Sequence, residues 1–122
     1  MAVLLVFLGG AVGAPLRYLV DRAVQKRHDS VFPWGTLVVN LVGCLILGAV
    51  TAAAAVDGLP SDLSLLLGTG VCGGLTTFST FGYETVRLLE NGSLAEAGLN
   101  ALGSLFTGLA AAAVGYAAVA AF

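Results

Sequence analysis

Apolar residues fill four long stretches of this chain, and three short polar joints separate them. A helix needs roughly 20 mostly apolar residues to cross a hydrocarbon core about 30 Å thick. Stretches of that length run from about Val3 to Leu19, Thr36 to Val56, Leu63 to Leu89 and Leu94 to Ala121, and together they nearly exhaust the sequence. The pattern predicts an all-α membrane protein, a single domain over residues 1–122 with four transmembrane helices and no soluble part. Gln25 to Ser30 is a polar run, and Phe32, Pro33 and Trp34 supply an aromatic interface anchor before the second span. Asp57 to Asp62 separates the second and third spans, with Ser61 placed to cap the third helix. The joint Glu90-Asn91-Gly92-Ser93 contains the Asn-Gly of a hairpin, but its flanks are too long and apolar for strands, so it reads as a helix stop.

Charged residues make up 10% of the chain and hydrophobic ones 58%, where an ordinary soluble domain carries about 25% charged residues. All five basic residues, Arg17, Arg22, Lys26, Arg27 and Arg87, fall at span ends or in loops on one side of a four-pass topology. The positive-inside tendency then places the first and third loops in the cytoplasm and both termini outside, across the cell's inner (plasma) membrane. No basic segment precedes the first span, so it reads as a retained helix rather than a cleaved signal. Cys44 and Cys72 lie inside spans and read as small buried residues, and His28 as a solvated loop residue. No nucleophile stands at workable spacing from a general base, which argues against an enzyme. The basic residues around Lys26 read as a topology signal, not as a nucleic-acid contact.

Polar residues at membrane depth are costly in hydrocarbon and face a bundle interior or an aqueous path. Thr36, Asn40 and Gly43 share one face of the second span, and Asn100, Ser104 and Thr107 repeat that spacing on the fourth. Either stripe alone would serve as interhelical glue; two matched stripes of neutral donors point to a path. Gly9 with Gly13, Gly70 with Gly74, and Ser104 with Gly108 have the four-residue spacing that lets helices pack closely. Residues 73–82 of the third span hold four hydroxyls, three glycines and two phenylalanines. Paired glycines and adjacent β-branched threonines predict a helix break there, in mid-membrane. Broken backbone at that depth is tolerated only inside protein or beside water. Its carbonyls could hold a small cation, and half-helix N-termini and hydroxyl hydrogens could face an anion. Phe78 and Phe81 would share a face of the resumed helix and could aim ring edges at an anion, core packing being the plainer reading. The spans lack the carboxylate rings of a metal-cation pore; Glu84 lies near the end of the third.

Three segments, GGAVGAPLRY (Gly9 to Tyr18), FPWGTLVVNLVG (Phe32 to Gly43) and GVCGGLTTFSTFGYE (Gly70 to Glu84), resemble the signature segments of the Fluc, or CrcB, fluoride channels. The resemblance covers three spans in order; the fourth agrees in its polar stripe and small residues. It implies a dual-topology channel, two copies assembled antiparallel with two pores and a central structural sodium ion. By motif alignment the sodium would rest on the backbone carbonyls of Gly73 and Thr76. The pore phenylalanines would be Phe78 and Phe81, the pore asparagine Asn40, and the hydroxyl track Ser79 and Thr80, with Ser104 from the fourth helix. Arg17 matches the family's first-helix arginine and Glu84 its acidic residue after the phenylalanines. Five basic residues on one side leave two partners open, a second copy in opposite orientation or an oppositely oriented relative, with the homodimer preferred.

Two other functions compete with a fluoride channel. A proton-coupled exporter of the small multidrug resistance type is also a four-helix antiparallel dimer, but it needs a carboxylate buried in a helix, and the predicted first span has none. A non-transporting membrane scaffold would need only the small-residue packing motifs and leaves the hydroxyl cluster unexplained.

Overall fold

The computed structural model describes residues 2–27, 32–77 and 79–121, with Ser79 described through its backbone. Among the described residues four helices are long and apolar enough to cross a membrane, and none forms a strand. These are α1 (Ala2–Arg27), α2 (Trp34–Val56), α3 (Ser61–Glu90, interrupted near its middle) and α4 (Leu94–Ala120). The chain is a multi-pass membrane protein. Its four spans are the four apolar stretches read from the sequence.

The helix ends correct that reading in two places. α1 runs two turns past Leu19, so Arg22, Gln25, Lys26 and Arg27 lie on helix rather than in a loop. Arginine, glutamine and lysine are good helix formers, and apolarity marks where a helix leaves the hydrocarbon, not where it ends. His28 lies outside the described residues. At the start of α3 Pro60 holds the N-cap position with φ −56° and ψ 142°, and Ser61 is the first helical residue with no capping side-chain bond. Proline presets that φ, so the helix begins one residue earlier than a serine cap would place it. The stop after α3 is as expected. Gly92 adopts φ +77°, its amide donates to the Leu89 carbonyl at 3.1 Å, and the Ser93 amide reaches the Leu88 carbonyl at 2.9 Å. That pair of bonds satisfies carbonyls a bare helix end would strand, and the left-handed residue it needs is a glycine.

Glycine sets how the spans meet. Gly9 of α1 lies on Gly70 of α3, Gly13 on the Val71 and Leu75 backbones, and Gly74 on Gly10 and Ala14. A Cβ built on Gly9 would sit 2.6 Å from the Gly70 Cα, and one on Gly70 would sit 2.8 Å from the Gly9 Cα. At this crossing main chain rests on main chain, as small-residue motifs allow in lipid. α2 packs most extensively on α4, where Gly48 abuts the Ala112 backbone and Gly115 the Leu45 backbone. Large apolar side chains point outward instead: Val3, Phe7, Leu102, Phe106 and Leu109 are exposed, as a hydrocarbon solvent permits.

α3 changes character along its length. Residues Leu65–Cys72 form a π-helix, and Gly73–Leu75 return to α-helical geometry. Thr76 then turns extended, with φ −83° and ψ 160°, and helix resumes at Ser79. The expected break is present, but it falls after the glycine pair. Gly74 stays helical because it is a packing site: a Cβ there would lie 3.0 Å from the Ala14 amide nitrogen and the Gly10 Cα.

Candidate functional site

Interrupting a helix in hydrocarbon leaves peptide groups that must find partners within the protein. Here side chains supply them. The first half of α3 closes on one carbonyl, that of Cys72, which accepts from the Thr76 amide at 2.9 Å and from the Thr76 hydroxyl at 2.8 Å. The second half opens on Thr77, whose Oγ1 accepts from the Thr80 amide at 3.2 Å, the bond an N-cap threonine makes. Between them, Asn40 of α2 treats Thr77 as a second backbone would. Its Oδ1 accepts the Thr77 amide at 2.8 Å, and its Nδ2 donates to the Thr77 carbonyl at 3.1 Å. Diverting that amide removes from the Gly73 carbonyl the donor that a continuing helix would have given it.

The α2 stripe faces this break along its whole length. Gly43 lies against the Thr76 methyl, Asn40 bonds Thr77, and the buried Thr36 donates its hydroxyl to the Glu84 carboxylate. Three residues at helical spacing thus meet three successive points of α3 in reverse order, as antiparallel neighbours must. The α4 stripe splits. Asn100, fully buried, donates from Nδ2 to the Thr85 hydroxyl at 2.8 Å and accepts the Ser104 hydroxyl at 3.4 Å. Thr107 is exposed and turns its hydroxyl back to the Gly103 carbonyl of its own helix. A threonine so placed presents its methyl outward, and Thr107 does not belong to the cluster.

Of the residues expected at the site, Asn40 and Thr76 lie at the break, Glu84 and the Phe81 backbone lie on the second half of α3, which carries Thr80 exposed near its start, and Ser104 is joined to that half only through Asn100. Gly73 is exposed, one turn before the break. Phe78 lies outside the described residues, as does the Ser79 hydroxyl. Arg17 follows Gly13 by one helical turn, and Gly13 abuts the Val71 and Leu75 backbones, so both share the α1 face turned towards the break. Among the described residues Arg17 makes no hydrogen bond or ion pair. Sequence reasoning missed the partners: Thr77, Thr85 and, at the foot of α2, Asp21 and Gln25. The Asp21 carboxylate lies against the Gly35 Cα, and the Gly35 amide donates to Gln25 Oε1 at 3.0 Å. Their spacing of four residues at the end of a basic helix was the available signal.

Chemically the cluster offers hydroxyls, carboxamides and redirected peptide groups around one carboxylate. Such groups exchange hydrogen bonds with an ion and hold no fixed positive charge to trap it. Among the described residues no group of three or more His, Cys, Asp or Glu side chains could hold a metal.

The chain is similar to known proteins over most of its length. Residues 4–116 match the family described as CrcB-like protein, Camphor Resistance (CrcB). A relative from Streptomyces avermitilis named fluoride-specific ion channel FluC 1 is 57% identical over 112 residues, covering 92% of this chain and 90% of its own. Another of that name from Frankia casuarinae is 52% identical over 117 residues, covering 92% and 91%. Fluoride-specific ion channel FluC of Thermus thermophilus is 45% identical over 113 residues, covering 93% and 90%. By the extent of that match and the identity of these relatives, the chain belongs to the CrcB-like family.

Proposed function

We propose that this chain is a fluoride channel of the inner (plasma) membrane, passing the ion down its gradient along the broken third helix. The observation that carries this reading is the Asn40–Thr77 pair, which keeps α3 open in mid-span beside hydroxyls and a carboxamide. Fluoride is small and strongly hydrated, and it must trade its water for donors of comparable strength. The Asn40 amide has a second N–H beyond the one given to Thr77, and Ser79, Thr80 and Ser104 carry hydroxyls. Phe78 and Phe81 add ring edges, and Arg17 and Glu84 add one charge of each sign. The family resemblance and the relatives' names support fluoride as the ion. The relatives are named as channels, and the chain is not an enzyme.

We take the functional unit to be two copies in opposite orientation, with a structural sodium ion between them. Gly73 and Thr76 fit that ion. The Gly73 carbonyl has lost the Thr77 donor, and the extended Thr76 turns its carbonyl out of the helical direction. A bound sodium would offset the negative ends of those carbonyls, a task for a resident ion rather than a transported one.

An exporter of the small multidrug resistance type draws on a carboxylate within a helix, and α1 does contain one, Asp21, within its final turns. Asp21 sits against Gly35 at the start of α2, beside the Trp34 interface anchor, two residues past the end of the apolar stretch of α1. The test is fluoride efflux from liposomes holding the purified chain alone, followed with a fluoride electrode, with chloride as comparison ion. Fluoride efflux well above chloride is expected, and activity without any other protein would establish the homodimer. No efflux above empty liposomes would refute the channel.

A further inference from the structure

The second half of α3 packs chiefly on α4, and a single buried side chain registers the two. Asn100 is wholly inaccessible to solvent and stands in the middle of a chain of hydrogen bonds. The Ser104 hydroxyl donates to its Oδ1 at 3.4 Å, its Nδ2 donates to Thr85 Oγ1 at 2.8 Å, and the Thr85 hydroxyl donates to the Phe81 carbonyl at 2.9 Å. Each link has one direction: a carboxamide oxygen cannot donate, and the Thr85 hydroxyl has one proton, which goes to Phe81. A one-residue slip or a turn of α3 about its axis would leave the amide unpaired in an apolar setting, the costly outcome for a buried polar group.

We infer that Asn100 and Thr85 are positioning residues that set the rotation of the resumed helix and so the direction in which Phe81 faces. Ser104, expected to line the ion's route, is on this account the first link of the relay. Asn40 and Asn100 then divide the work: one carboxamide holds the break from α2, the other holds the resumed helix from α4. The inference rests on reading Phe81 as a pore residue.

The experiment pairs two readouts. Fluoride efflux, normalised to monodisperse protein, is measured for Thr85→Val, Thr85→Ser, Asn100→Leu and the double variant Thr85→Val with Asn100→Leu. A 19F resonance is recorded in the same backgrounds from 4-fluorophenylalanine placed at position 81. Thr85→Val and Asn100→Leu are each expected to slow efflux about tenfold, the scale of one lost buried hydrogen bond. The double variant should fare no worse than either, and Thr85→Ser, which keeps the hydroxyl, should conduct normally. The resonance should move in Thr85→Val and Asn100→Leu and hold still in Thr85→Ser. Losses that multiply in the double variant, or a resonance that does not move, overturn the inference. Thr85→Val preserves side-chain shape, so the test stands even where Asn100→Leu fails to fold. If the unmodified chain conducts no fluoride, the channel reading fails by that result, and the resonance alone decides the relay.

Discussion

The carboxamide of Asn40 and the two peptide groups of Thr77 meet in a two-bond pair, donor to acceptor and acceptor to donor, across the interruption of α3. A strand would make the same exchange with its neighbour, but here one side chain stands in for the missing strand. Asn40→Asp keeps the oxygen that accepts the Thr77 amide and puts a second oxygen against the Thr77 carbonyl. We expect fluoride efflux to cease and stability to fall by about 1–3 kcal/mol, the cost of an unpaired buried group. Efflux and thermal unfolding in detergent measure the two; normal flux would show that the pair is dispensable.

Gly43 and Thr76 give a prediction with its own rescue. A methyl at position 43 would collide with the Thr76 methyl, and Thr76 cannot rotate away without giving up the bond to the Cys72 carbonyl. Gly43→Ala should therefore lose most efflux. Combined with Thr76→Ser, which drops the methyl and keeps the hydroxyl, activity should return. Equal impairment in the pair would place the fault elsewhere.

Adjacent glycines of α1 should behave oppositely. Gly9→Ala drives a methyl into the Gly70 main chain, whereas the corresponding space beside Gly10 is open. Overpacking of this kind costs about 1–3 kcal/mol, while a helical Gly→Ala with room gains roughly 0.5–1 kcal/mol. Melting temperatures of the two variants should move in opposite directions.

Phe78→Ile and Phe81→Ile remove aromatic edges while retaining bulk. Fluoride efflux should fall in both, with the elution volume of the assembled protein unchanged on size exclusion. Unaltered flux in both variants would eliminate an aromatic route.

Much of this was legible in the sequence, because lipid enforces simple rules. A span must be apolar and about 20 residues long, so four stretches gave four helices. Polar residues inside a span must find partners, so Thr36, Asn40 and Asn100 announced themselves, and each meets α3. What stayed hidden depends on contacts in three dimensions. The glycine pair at 73 and 74 suggested a break, yet one of these is spent on packing against α1, and the interruption falls where Asn40 can reach a peptide. Thr85 looked like any helical threonine until Asn100 was found against it. Gln25 looked like loop because polarity was taken for irregularity.

Where α1 crosses α3, nothing separates the two main chains, and this has a mechanical result. Side chains elsewhere act as a cushion, yielding by rotamer changes when a neighbour shifts; at Gly9 and Gly70 there is no cushion. A displacement of α1 at this crossing would therefore meet the α3 main chain directly, with no rotamer in between to absorb it.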